Sequence, residues 1–189
     1  MPWLAFAVLA YFIFAVVFLI DKYLLVGSIK NPKLYTFYTG FLRVLIVFLI
    51  PFIDFKVPSI SQIILSFSAG GFFVLGLFWF FKGLKEFEPS RVVPAVGGAI
   101  PVFSFLLVLT VSAGKEIPAL LDIIALALLI FGSILISYTK AKKVSFESLR
   151  ISITAAFFLA VSFVLVKYVY LAQPFLQGLI WINLGGFFT

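Results

Sequence analysis

The chain has 189 residues, of which 64% are hydrophobic and 11% charged, with a formal charge of +7 and neither cysteine nor histidine. A mean hydropathy of +1.26 lies outside the range of soluble globular domains. The missing Cys and His remove disulfides, thiol nucleophiles, zinc sites of the usual ligand types and imidazole acid–base catalysis.

The positive charge does not point to nucleic acid, because the Lys and Arg residues fall in short segments between apolar runs, where they orient a protein in a bilayer. A membrane-crossing helix needs ~20 apolar residues. The alternating pattern of a membrane β-barrel is absent, so the fold class expected is an all-α polytopic membrane protein.

The N-terminal stretch MPWLAFAV has no basic region of the kind that precedes a cleaved signal peptide, so helix 1 is expected to stay in the mature protein. It is predicted from Trp3 to Ile20, with room to extend to Val26. Gly27 to Pro32 then turns the chain. Helix 2 is predicted from Leu34 to Ile53 with Arg43 near its middle, and Asp54 to Ser61 forms a polar connection. Helix 3 runs from Gln62 to Phe81 and carries Gly70, Gly71 and Gly76, which read as packing residues. Helix 4 covers Val92 to Ser112 and holds Pro94, Gly97, Gly98 and Pro101, so it is expected to be bent or locally unwound. Helix 5 occupies Ala119 to Tyr138, TKAKKVSFESLR follows, and helix 6 takes Ile151 to Leu171. Phe175 to Phe188 begins a seventh segment of 14 residues, shorter than a crossing.

Helix 1 recurs. AYFIFAVVFLIDKYL at Ala10–Leu24 aligns with AAFFLAVSFVLVKYV at Ala155–Val169 with an offset of 145, pairing Lys22 with Lys167 and Tyr23 with Tyr168. Five helices precede the second copy, so it starts on the opposite face of the membrane, as in inverted-repeat transporters. The expected organisation is a first five-helix repeat at 3–138, a basic connection at 139–150 and the start of a second repeat at 151–189. The chain then reads as part of a ten-helix protein, completed by a C-terminal half or partnered as a homodimer. Lys and Arg number ten after the odd helices (Lys22, Lys30, Lys33, Lys82, Lys85, Arg91, Lys140, Lys142, Lys143, Arg150) and three after the even ones (Lys56, Lys115, Lys167). The positive-inside rule places the odd connections in the cytoplasm and the N-terminus outside, in a plasma or inner membrane.

Arg43 is the charge most deeply set in an apolar run. An ion at that depth costs at least ~2.5 kcal/mol and usually faces a cavity or a partner. It reads either as a contact for an anionic group in a substrate path or as an Arg bonded to carbonyls of an unwound helix 4. Lys22 and Lys167 either snorkel to the headgroups or flank the path from opposite halves, with Asp21 beside Lys22 and Val166 in the matching place. Helix 4, through Pro94, Gly97, Gly98 and Pro101, is either a broken helix lining a cavity or a kinked, tightly packed one. Trp181 and Asn183 could reach a substrate, although Trp, like Trp79, is also a common interfacial anchor. The acidic residues read as loop and helix-end groups rather than a buried proton relay, and no nucleotide-binding motif is present.

The stretch EPSRVVPAVGGAIPVFSFLLVLTVSAGKEIPALLDIIALALLIFGSILIS resembles the end of an EamA domain, the five-helix repeat of the drug/metabolite transporter superfamily. The features carrying the likeness are Pro89 and Ser90, Pro94 and Pro101, the turn at Lys115 and Glu116, and Gly132. Lys22, Arg43 and Lys167 match the basic residues frequent in that family's helices 1 and 2. The Trp-Gly and Asn often found in helix 1 are absent, and Lys115 stands where a glycine is usual. The resemblance implies a transporter and names no cargo.

The function expected is secondary transport of a small organic metabolite by alternating access, with the bilayer and the cargo as partners and no nucleic acid, cofactor, metal or catalytic residue. Arg43 and Lys22 would favour a carboxylate or phosphate on the cargo. The alternatives are a membrane-embedded enzyme acting on lipids and a non-transporting scaffold.

Overall fold

A computed structural model describes residues 2–111, 119–139 and 146–189, with the backbone alone for 2, 3 and 134–139. The described residues are 89% helical, and the chain is an all-α polytopic membrane protein. Its helices are α1 (Pro2–Val26), α2 (Pro32–Arg43), α3 (Ile60–Glu86), α4 (Pro89–Val111), α5 (Leu120–Thr139), α6 (Phe146–Ala172) and α7 (Phe175–Phe187), with a 3₁₀ segment at Val44–Phe52. Among the described residues five stretches are long and apolar enough to cross a membrane: Leu4–Val26, Pro32–Phe52, Ile60–Glu86, Pro89–Val111 and Phe146–Ala172. The turn at Lys115 and Glu116 and the lysines Lys140, Lys142 and Lys143 lie outside the described residues.

Local chemistry sets the helix ends. α1 stops at Gly27, whose N–H closes on the Tyr23 carbonyl at 2.9 Å. Asn31 then caps α2, its Oδ1 accepting from the Lys33 N–H at 3.0 Å, and Pro32 fills the first position, where a missing N–H costs nothing.

Helix 2, expected as one α-helix, divides. After Arg43 it continues for nine residues as a 3₁₀ helix containing Pro51. Pro51 cannot donate to residue 47 and its ring crowds that carbonyl, which favours the tighter winding. Helix 4, expected to be bent or locally unwound, is not unwound. Pro94 and Pro101 lie within one unbroken α-helix. Each proline removes a single hydrogen bond, and packing against α6 and α5 holds the helix together.

α3 is the hub. It packs along α6 and α7 and also meets α1, α2 and α4. Because lipid tails are as apolar as leucine, close packing and interhelical hydrogen bonds must hold such helices together. Glycines supply the closeness. A Cβ on Gly70 would lie 2.1 Å from the Ile182 carbonyl oxygen and 2.4 Å from the Gly186 nitrogen, and one on Gly185 would lie 2.4 Å from the Phe67 Cα. A Cβ on Gly76 would lie 2.6 Å from the Leu159 side chain of α6, and the Ser162 hydroxyl donates to the Ala69 carbonyl at 2.8 Å in the same interface.

The contacts also fix direction. Lys22, near the end of α1, reaches the end of α3, and Ile151, near the start of α6, packs on Gly83 at that same end. α1 therefore runs toward this face and α6 away from it. α1 and α6 thus point oppositely through the molecule. They also differ in burial: Ala155 and Ala160 are fully buried, whereas Ala10 and Ala15 are exposed.

Gly70→Val should separate α3 from α7 and destabilise the protein by on the order of 3 kcal/mol. Gly97→Ala should be close to neutral, because a Cβ there meets nothing within 4 Å. Thermal unfolding in detergent checks the pair, and equal midpoints would contradict the crossing.

Candidate functional site

The glycine crossing determines what surrounds Arg43. α2 and α7 run antiparallel, and a Cβ on Gly40 would lie 3.6 Å from the Gly186 carbonyl oxygen. One turn further along α2 is Arg43, and one turn back along α7 is Asn183. The two residues are therefore level. Arg43 Nη1 donates to Asn183 Oδ1 at 3.4 Å, a bond at the long limit. The Asn183 amide is itself held in place, donating to the Leu179 carbonyl at 2.7 Å. On its other side the guanidinium lies 4.2 Å from the centre of the Phe73 ring, a cation–π contact of about 0.5–2 kcal/mol.

Among the described residues Arg43 thus has a positioned amide, an aromatic face and no carboxylate partner. A guanidinium carries five N–H donors in a fixed fork, and one long bond leaves most of them available. Phe73 lies at the middle of α3, which places the group at mid-membrane depth. Chemically, a guanidinium fork of this kind is able to pair with a carboxylate or phosphate. The 3₁₀ winding that starts at Val44 puts a change of helix type beside it, a feature common at hinges.

The other expected site residues lie elsewhere. Arg43 does not meet helix 4: its partners are on α7 and α3, and Pro94, Gly97, Gly98 and Pro101 sit on a helix that packs chiefly against α6 and α5. Gly98 faces Ser133 of α5, whose Oγ would be 2.4 Å from an added Cβ, while Gly97 faces open space, as does Gly132. Trp181 points away from Asn183 into a ring cluster, 5.9 Å from Phe55 and 6.2 Å from Phe67, and its Nε1 is buried without a hydrogen-bond partner.

Lys22 and Lys167 are not equivalent. The Lys22 ammonium donates to the carbonyls of Leu84 (2.7 Å), Lys85 (3.1 Å) and Phe87 (2.9 Å), using all three of its donors. These are the carbonyls that the end of α3 leaves unpaired, at the negative pole of the helix. Beside it, Asp21 accepts a 2.5 Å bond from the Tyr35 hydroxyl, and Tyr35 stands edge-on to Phe81 at 4.8 Å. Two neighbouring residues of α1 thereby tie α2 and α3 together. Lys167 is exposed, with its Nζ 5.9 Å from the Tyr168 ring centre.

At the opposite end a set of side-chain amides does comparable work. Gln173 Nε2 donates to Ser66 Oγ at 3.3 Å, Ser66 to the Gln62 carbonyl at 2.8 Å, and Gln177 to the Lys56 carbonyl. This junction was not anticipated. Its signal was available in two glutamines four residues apart, flanking Pro174 in an otherwise apolar region.

No protein-family model, curated protein or solved structure matches this chain. The multi-pass membrane class therefore rests on the chain's own helices, and the site on its own geometry.

Lys22→Met should uncap α3 and lower stability by about 1.5–3 kcal/mol, the value of hydrogen bonds to a charged group. Lys22→Arg should restore part of it, and Lys167→Met should cost little. Unfolding midpoints of the three variants check this, with equal losses at both lysines as the contrary result.

Proposed function

We propose that this protein is a secondary transporter of a small organic anion or zwitterion, with Arg43 contacting the charged group of the cargo at mid-membrane depth. The observation that carries this reading is Arg43 itself. A guanidinium held in an apolar run by an amide and a ring, with no acid beside it, is costly to keep there unless something negative visits it. Asn183 and Phe73 fix its plane, and a fixed fork matches a carboxylate or phosphate in two-pronged fashion.

Two further observations support transport. The repeated sequence elements α1 and α6 run in opposite directions, the relation from which alternating access is commonly built. The sequence also resembles the EamA repeat of drug/metabolite transporters at Pro89, Ser90, Pro94, Pro101 and Gly132.

The test is uptake by the purified protein in proteoliposomes, over a panel of carboxylates, phosphates and neutral analogues. An anionic solute should be taken up, and Arg43→Gln should lower that uptake roughly tenfold or more at an unchanged unfolding midpoint. Normal anion uptake by Arg43→Gln would remove Arg43 from the path, and no uptake of any panel member by the parent protein would count against transport.

A further inference from the structure

A groove of about 370 Å³ lies between α2, α3 and the end of α7, with Lys33, Thr36, Gly40, Val74 and Leu75 among the residues that line it. Its size falls within the range of small-molecule sites, and its walls are unusually self-sufficient. The Thr36 hydroxyl donates to the Pro32 carbonyl at 2.8 Å, and that of Thr189 to the Gly185 carbonyl at 3.0 Å. No hydroxyl in the groove asks a ligand for a hydrogen bond. Its interior therefore suits a hydrocarbon rather than a polar metabolite.

The groove has a charged end. From Lys33 to Gly40 it follows α2 for seven residues, ~10 Å at the helical rise, starting beside the first residues of the helix. On the facing wall Lys82 lies one turn beyond Phe78 on the same side of α3, its Nζ 5.1 Å from the Trp79 ring centre. Lys33 lines the groove at this end, and Lys82 follows Phe78 by one turn of α3, so both lysines stand in the terminal turns of their helices on this face. Lys30, Lys85 and Arg91 lie on the same face, against Glu86 and Glu88. The side wall is open to the surroundings, with Phe37 61% and Leu75 39% exposed.

From this arrangement we infer that the groove is a binding site for an anionic phospholipid, its acyl chain lying along Gly40, Val74 and Leu75 and its headgroup phosphate between Lys33 and Lys82. An apolar slot seals around a chain, and paired lysines at its mouth select a negative headgroup. Basic pockets between membrane helices bind acidic lipids by this combination. The site is independent of the transport reading, because it needs neither a moving cargo nor Arg43.

The experiment is native mass spectrometry of the full chain released from mixed micelles of phosphatidylglycerol and phosphatidylcholine. One phosphatidylglycerol should be retained per chain in preference to phosphatidylcholine. Lys33→Gln should weaken that preference about fivefold, the effect of one lysine near a membrane surface, and Lys33→Gln with Lys82→Gln should weaken it further. Leu75→Trp, which fills the groove from its open side, should abolish retention of the lipid at an unchanged unfolding midpoint. Lys56→Gln, at the opposite end of the helices, should have no effect. Equal losses from Lys56→Gln and Lys33→Gln would reduce the preference to net charge and overturn the site, as would full retention in Leu75→Trp.

Discussion

The close crossing of α3 and α7 is the constraint from which the rest of the arrangement follows. With Gly70 on one helix and Gly185 on the other, the backbones meet where a Cβ on either would collide, and Gly186 packs tightly beside them. In a bilayer that contact replaces the hydrophobic drive of a soluble core, because van der Waals closeness is what helices gain by leaving lipid. The crossing also sets the register of α7 against α2 through Gly40. Register in turn levels Asn183 with Arg43 and gives a mid-membrane cation its amide.

The two ends of the helices are held by different chemistry. On the lysine-rich face, α1 contributes a cation to the end of α3 and a carboxylate to Tyr35 of α2. On the other face, Gln62, Ser66, Gln173 and Gln177 join the start of α3 to the turn between α6 and α7. Arg43 stands between these ties, near the middle of the Pro32–Phe52 span. Of the repeated Lys-Tyr pair, Lys22 belongs to the tie in α1, where Asp21 accompanies it. In α6 the matching residue is Val166, and Lys167 is exposed.

Much of the fold was legible in the sequence because a membrane helix announces itself by length. Every expected helix is present, and most extend a few residues past their apolar runs into polar ends such as Lys82–Glu86 and Phe146–Arg150. Arg43 stood out as the charge placed deepest in an apolar run. Its partner did not, since Asn183 is 140 positions away and only tertiary register brings the two level. The glycines of α3 read correctly as packing residues, but what they pack against required the structure. Two expectations about backbone went astray for one reason: proline disturbs a helix only as far as its neighbours let it. Pro94 and Pro101 are held within an unbroken helix between α5 and α6, whereas Pro51 ends a segment with no buried residue to hold an α-helix in place.

The central claim is that Arg43 and Asn183 face a space which water and an anionic cargo can reach. Since the chain contains no cysteine, a single Asn183→Cys substitution reports on that space without background. In proteoliposomes, a membrane-impermeant thiol reagent carrying a negative charge should label the introduced thiol faster than its positively charged analogue, and a transported anion should slow the labelling. Labelling by lipid-soluble reagents alone, indifferent to charge and to added anions, would mean that Arg43 is a structural residue packed against Phe73.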